Sequence, residues 1–297
     1  MRKAVSGIIL TLMLIEILML IPLVQSFQAN FESFPYDNKA NDFIKKSVNL
    51  ISSTSNSNLV LAFYYGWYGT PYGPIGSWFH WAGGYDRYHN PEDIYENGTR
   101  DIPSNNYPSM DVYDSHDLAV LENHIYLAKS AGIDGFLVSC VQAWKMEFQT
   151  FELLLNISAN LHFQVTVFYE TPSAISIAQE HGLNPVLEVQ SDVAEILTLY
   201  SSKEGFLKYE GKPIIFFYSA GSFPVNDWSI IFSYARNQVP NALFIGDIFD
   251  INYLSVFDGL FTYSTLGFSN LTSTYSSISK DAHALGKLFA ATVCPGF

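Results

Sequence analysis

Apolar positions along this chain come in short unbroken runs separated by amphipathic stretches, and the first run sets the frame. Leu59-Val60-Leu61-Ala62-Phe63 is too short for a helix and reads as a strand buried on both faces. It breaks into Tyr64-Tyr65-Gly66-Trp67-Tyr68-Gly69, rings interrupted by glycines, where a strand opens into a loop. Similar runs recur at Ile133–Cys140, Gln164–Glu170, Pro213–Tyr218, Ala242–Ile248, Gly259–Ser264 and Lys287–Cys294. Between them the period changes to that of a helix. One helix is predicted from Asp114 or Ser115 to Gly132, with Leu118, Leu121, Ile125 and Ala128 on one face. Others are predicted at Phe148–Leu161, Val189–Tyr200, Asn226–Gln238 (Asn226 as cap) and Ser273–Leu285. Strand alternating with helix means βαβ units and a parallel sheet. The fold class is α/β, a (β/α)8 TIM-type barrel, because no phosphate fingerprint of a doubly wound sheet follows the first strand. The barrel is expected to be incomplete, with about seven strands and the eighth βα unit absent.

The flanks divide the chain into three parts. Residues 1–26 open with Met1-Arg2-Lys3 and continue as an apolar run from Ala4 to Val24, interrupted by Glu16. This is a signal peptide or a membrane anchor: Val24-Gln25-Ser26 suits a signal peptidase, and roughly 20 apolar residues can also span a bilayer. Either way the rest is exported, secreted or held to the membrane by this segment alone. Residues 27–58 hold a weak amphipathic helix over Asp37–Ser52 and a Ser/Asn linker, and 59–297 form the barrel. The connection from Thr70 to about Tyr113 is long for a compact domain and dense in Trp78, His80, Trp81, Tyr85, Tyr88, His89 and Asn90, which favours a functional loop. Three Asn-x-Ser/Thr triplets, at Asn97, Asn156 and Asn270, are compatible with export.

Composition narrows the partners. A net charge of −13 argues against nucleic acid and against anionic lipid surfaces. Aromatic content of 16% with only 14% charged residues suits a neutral, hydroxyl-rich ligand such as a carbohydrate. Cys140 and Cys294 form no Cys-x-x-Cys pair, and the histidines show no ligand spacing, so no metal or cofactor is expected. Asp114-Ser115-His116-Asp117 holds the letters of a hydrolytic triad, but triads are assembled from distant positions, and this tetrapeptide better serves as a helix start.

In a barrel the chemistry sits at the carboxyl ends of the strands. Tyr65, Trp67 and Tyr68 fall there, as do Glu170, Ser219, Asp247, Asp250 and Tyr263. Glu170 closes a buried strand with no basic partner at another strand end, which favours a functional acid; Asp247 could equally cap a turn. Asp134 and Asp258 precede glycines at strand starts and read as structural.

The series resembles the endo-α-mannosidase-like glycoside hydrolases, family ninety-nine. The marks are Phe63-Tyr64-Tyr65-Gly66-Trp67-Tyr68-Gly69, Phe79-His80-Trp81, His89-Asn90-Pro91-Glu92-Asp93-Ile94, Tyr107-Pro108, Ala131-Gly132-Ile133-Asp134-Gly135, Phe168-Tyr169-Glu170 and Phe257 to Tyr263. Thr171-Pro172 stands where the family has Pro-Tyr after that glutamate. The resemblance implies a site for a mannose-containing oligosaccharide built from Tyr65, Trp67, Tyr68, Trp81, His89, Asn90, Glu170 and Tyr263. It implies retaining cleavage by two carboxyl groups that follow an eighth strand. Those are expected to be missing here, leaving Glu170, Asp247 and Asp250 as the acids near the mouth, with Glu170 and Asp250 as the candidate catalytic residues. The expectation is a glycoside hydrolase homologue that binds glycan with little turnover; a non-catalytic carbohydrate-binding protein or a fragment of a split gene are the alternatives.

Overall fold

The computed structural model describes residues 58–83, 89–104, 106–268 and 270–294. The expected signal or anchor segment, the helix expected over 37–52, and Tyr85 and Tyr88 lie outside the described residues. Among the described residues no helix is long and apolar enough to cross a membrane.

Strands β1 (Leu61–Tyr64), β2 (Gly135–Cys140), β3 (Gln164–Glu170), β4 (Lys208–Tyr209), β5 (Lys212–Tyr218), β6 (Leu243–Asp247), β7 (Gly259–Phe261) and β8 (Leu288–Phe289) form one sheet. Its order is β1-β2-β3-β5-β6-β7-β8, all parallel, with β4 pairing antiparallel to β5 at one side. The sheet is curled. Phe63 of β1, at one end of that order, packs on Phe261 of β7 near the other end, with ring centroids 6.2 Å apart. Seven parallel strands in a curled sheet are an incomplete (β/α)8 barrel among the described residues, as the alternation of runs predicts.

Side chains alternate across each strand, so the sheet has two packed faces. Inward positions Leu137, Phe168, Ile214, Phe216, Ile245 and Phe261 fill the barrel interior, with Leu61 and Phe63 against them. Outward positions Phe136, Val138, Val165, Val167, Ile215, Phe217, Phe244 and Leu260 pack under the helices. Those helices are α1 (Leu118–Ser130), α2 (Lys145–Ser158), α3 (Thr171–Glu180), α4 (Pro185–Tyr200), α5 (Val225–Gln238) and α6 (Leu271–Ala284).

Several boundaries differ from the sequence reading. Helix α1 is capped by Asp117, whose side chain accepts from the Ala119 N–H, rather than by Asp114 or Ser115. Helix α5 begins at Val225 after Pro224, one residue before the expected cap Asn226. Helix α3 and strand β4 were not expected. The first follows β3 at once, because Pro172 sits in its first turn, where a missing N–H costs nothing. The last strand is Leu288–Phe289 rather than Lys287–Cys294. At the amino ends of the strands the two aspartates read as structural are so: Asp134 accepts from Val60 N at 2.8 Å, and Asp258 accepts from Phe244 N at 2.9 Å and Arg236 Nη2 at 2.7 Å.

Between β3 and α4 the Tyr169 hydroxyl donates to Asp192 Oδ2 at 2.8 Å. Burial pushes the Asp192 carboxyl up to about 6; the Tyr169 bond opposes this, and the nearby Glu188 and Glu195 add to it. The folded state thus holds this proton more tightly than the unfolded chain. Its contribution to stability is full below the ordinary carboxylate range and is lost as pH rises through about 6. Asp192→Asn keeps an acceptor for Tyr169 but cannot ionise. Its unfolding free energy should match the parent near pH 4 and exceed it at pH 7.5 by on the order of 2 kcal/mol, allowing for partial solvent access. Urea unfolding at several pH values checks this; parallel profiles for parent and variant would refute it.

Candidate functional site

The inward row of each strand continues past the apolar interior into polar and aromatic groups. Two residues beyond Phe63, Leu137, Phe168, Phe216, Ile245 and Phe261 stand Tyr65, Ser139, Glu170, Tyr218, Asp247 and Tyr263. Strand alternation alone therefore delivers these side chains to the carboxyl-end mouth, where barrels do chemistry. Tyr65, Trp67, Trp144, Phe168, Glu170, Tyr218 and Tyr263 line a cleft of about 190 Å³. That is below the ~300–1,000 Å³ of pockets that hold drug-sized ligands, so it suits one ring of a larger molecule.

Glu170 lies at the cleft as its one carboxylate lining group among the described residues. Ser139 Oγ donates to Oε1 at 2.6 Å. Burial pushes the carboxyl up, the Ser139 bond lowers it, and the neighbouring Asp247 raises it further. Across the cleft the Tyr65 and Tyr263 hydroxyls share a bond of 2.6 Å. Burial, then the Tyr263 bond, then the charge of Glu170 push the Tyr65 phenol up. Burial followed by Glu170 and Asp247 does the same to Tyr218. Both phenols stay protonated near neutral pH and can donate to, or accept from, a hydroxyl-bearing ligand.

The rings are held by close packing. Trp67 is stacked between Tyr65 and His80, with centroids 4.7 Å away on each side. His80 has φ of 58°, and burial lowers its ring pKa, which favours the neutral imidazole. Gly66 makes the approach: a Cβ there would lie 2.3 Å from Thr150 Cγ2, while Thr150 Oγ1 donates to Gly66 O at 2.8 Å. The loop after β1 thus presses onto α2, whose N-terminal flank supplies Trp144 to the cleft. The same loop is fastened by Asp114, which accepts from Thr70 N at 3.2 Å and Ile75 N at 3.1 Å, and by Ser115, which accepts from Tyr68 N at 3.0 Å. Asp114-Ser115 is a staple for this loop, neither a helix start nor part of a triad.

Of the residues expected at the site, Tyr65, Trp67, Glu170 and Tyr263 line the cleft. The others are placed elsewhere. Tyr68 packs on Trp81 at 4.2 Å, and Trp81 is buried with Nε1 donating to Tyr113 O at 2.7 Å. His89 Nδ1 lies 2.7 Å from Asp101 Oδ1, and the Asn90 N–H donates to Asp101 Oδ2 at 3.0 Å. Together with Tyr95 they hold the Asp101 carboxyl down to about 2, the His89 bond contributing most. Asp250 is exposed and caps the short 3-10 helix Ile251–Ser255, accepting from Asn252 N at 3.0 Å and Asn252 Nδ2 at 2.8 Å. It does not line the cleft, because the chain leaves the mouth after Asp247. Ser139, Trp144, Phe168 and Tyr218 were missed. Ser139 and Tyr218 could have been found by counting two positions on from the last inward apolar residue; Trp144 precedes a helix and carries no such signal. Among the described residues no group of three His, Cys, Asp or Glu side chains lies close enough to hold a metal ion.

A curled parallel sheet with a carboxylate and aromatic rings at its carboxyl ends defines a barrel-type protein with its candidate site at the mouth. The chain belongs to glycosyl hydrolase family 99, whose family model matches residues 55–297. It is 25% identical over 270 residues to a mouse glycoprotein endo-alpha-1,2-mannosidase-like protein, covering 80% of this chain and 57% of that one. The human protein of the same description is 26% identical over 271 residues, covering 80% and 56%. The chain thus spans little more than half the length of these relatives. The solved family 99 endo-alpha-mannosidase of Bacteroides thetaiotaomicron, in complex with Bis-Tris propane, superposes with a TM-score of 0.64 at 25% identity, covering 82% of this chain and 71% of that one. A glycoside hydrolase-like protein at 14% identity and a TM-score of 0.51, covering 84% and 76%, shares the fold.

Proposed function

We propose that the cleft binds one mannose-type ring of an α-mannose-containing glycan, and that the protein is exported to meet it. The observation that carries this is Glu170, fixed by Ser139 at the mouth of the barrel and ringed by Tyr65, Tyr218, Tyr263 and Trp67. One oxygen accepts from Ser139, so the other can accept hydroxyl protons of a sugar. The phenols supply further polar contacts, and the ring of Trp144 suits the apolar face of a pyranose, while Trp67, its faces taken by Tyr65 and His80, borders the cleft with its edge. The endo-alpha-mannosidase names of the relatives support mannose as the sugar. Export rests on the basic and then apolar N-terminal segment, and N-terminal sequencing of mature protein checks whether that segment is removed.

Cleavage asks for more. A glycosidic bond needs one group to protonate the leaving oxygen and another to assist attack, held roughly 5–9.5 Å apart. Both oxygens of Asp247 accept backbone N–H groups, and Asp250 caps a turn, so neither stands ready beside Glu170. This favours recognition of the sugar by the described residues over turnover by them. The test is calorimetry of the purified chain with an α-linked mannose disaccharide, alongside Trp67→Ala. The parent should bind, and the variant should bind roughly tenfold more weakly while losing less than about 2 kcal/mol of stability, short of the ~3–5 kcal/mol of a core Trp→Ala. A parent that shows no affinity for the disaccharide would overturn the reading.

A further inference from the structure

The carboxylate of Asp247 ends β6 on the inward side, where the ladders to both neighbouring strands run out. The last pairs are Phe217 with Gly246 toward β5, and Asp247 with Phe261 toward β7. Beyond them Ser219 turns into the left-handed region, φ 50° and ψ 54°, a conformation that non-glycine residues seldom adopt. Its N–H has left the ladder and donates to Asp247 Oδ2 at 3.0 Å. On the other side the Tyr263 N–H donates to Asp247 Oδ1 at 2.8 Å. One side chain therefore ties the segments after β5 and β7. Each segment carries a wall of the cleft: Tyr218 directly precedes Ser219, and Tyr263 is itself held, its ring 5.3 Å from that of Tyr218 and its hydroxyl on Tyr65.

We propose that Asp247 is a positioning residue of the sugar site, setting Tyr218 and Tyr263 around Glu170 by holding the backbone on both sides. The inference rests on the reading of the cleft as a sugar site. Asp247 acts on Glu170 through its charge as well. The groups facing Glu170 are Ser139 of β2 by hydrogen bond, Tyr65 after β1, Tyr218 of β5, Tyr263 after β7 and Asp247 of β6, with Cys140 behind it on β2. Asp247 is the other carboxylate among them, and it adds to the effect of burial in keeping the Glu170 carboxyl protonated to higher pH.

Asp247→Asn in the full chain separates this role from mere stability. An amide has one acceptor, so it can hold one of the two N–H groups while its own NH2 opposes the other. Three readouts are expected to move. Affinity for the α-linked mannose disaccharide at pH 7 falls roughly tenfold or more. Amide exchange at Ser219 and Tyr263 accelerates. The Glu170 titration, followed by carboxyl carbon NMR, shifts to lower pH. Asp258→Asn, the same change at the opposite ends of the strands, should lower stability and leave the Glu170 titration where it was. Parent-like exchange and parent-like titration in Asp247→Asn would overturn the proposal. If the parent itself does not bind the disaccharide, the sugar reading fails, while exchange and titration still decide the role of Asp247. If Asp247→Asn does not fold, Asp247→Glu keeps the charge but not the reach. It should preserve the titration and lose affinity, and undiminished affinity would count against the proposal.

Discussion

Glu170→Gln is expected to weaken binding of an α-linked mannose disaccharide about a hundredfold, which would be the largest loss of function from any single conservative change in this chain. Hydrogen bonds to a charged acceptor contribute roughly 1.5–3 kcal/mol each, and the oxygen not occupied by Ser139 can accept from more than one sugar hydroxyl. An amide replaces that oxygen by a donor. Stability should not suffer, because burial already opposes the ionised carboxyl and drives its pKa upward. The sign follows from linkage. A carboxyl whose pKa is raised on folding contributes stability that is present at low pH and lost as pH climbs through the folded value, so the neutral amide is at no disadvantage at pH 7. Sugar binding has the opposite dependence. It needs the ionised form, so affinity of the parent should fall on acidification at a pH above the ordinary carboxylate range, and Glu170→Gln should show no such step. Calorimetry over a pH series measures both; a variant that binds like the parent would remove Glu170 from the site.

Trp228→Ala should produce the largest loss of stability, roughly 3–5 kcal/mol. Trp228, on α5, is fully buried and stands among Phe217, Phe223, Phe232 and Phe257 at centroid distances of 5.0–5.4 Å. Its Nε1 donates to Ala220 O at 2.7 Å, in the turn just past Ser219. Truncation leaves a cavity and strips that carbonyl of the one bond in which the indole serves it. Domains of this kind commonly have only ~5–15 kcal/mol to lose. Denaturant unfolding gives the value directly; a loss below about 1.5 kcal/mol would mean that the aromatic cluster closes over the gap. Trp67→Ala, at the partly exposed cleft, is the contrast, because a ring already facing solvent leaves less behind.

The difference between these two tryptophans was not legible in the residue types. Both sit in aromatic-rich stretches, and only the packing shows that Trp228 lies beneath the sheet while Trp67 covers its open end. The strands were more legible. Short apolar runs placed β1, β2, β3, β5 and β6 to within about two residues, because a strand covered on both faces has to be apolar at nearly every position. Helix α3 escaped because its ten residues mix Ser, Thr, Ile and Ala, and three of them, Thr171, Ala174 and Ala178, are buried without a strong apolar stripe. Its stability comes from the strand and helix it touches, and propensity alone does not report that.

What the sequence by itself determined is local and periodic: a parallel α/β chain, an inward row along each strand, and an acid, Glu170, closing one of them. These follow from the two-residue repeat of a strand, which any reader of the chain can count. What only the tertiary structure decided is which of the many rings and acids meet. Tyr65 and Tyr263 are 198 positions apart and share a hydrogen bond because the sheet curls. Asp247 and Asp250 are three residues apart, yet one faces the barrel and binds two neighbouring backbones while the other caps a turn in solvent. Asp114 and Ser115, letters of a triad on paper, are consumed by backbone N–H groups of the loop after β1. A buried backbone donor must find an acceptor, and which carboxylate serves it depends on where the loops close, a distance in space that no spacing along the chain records.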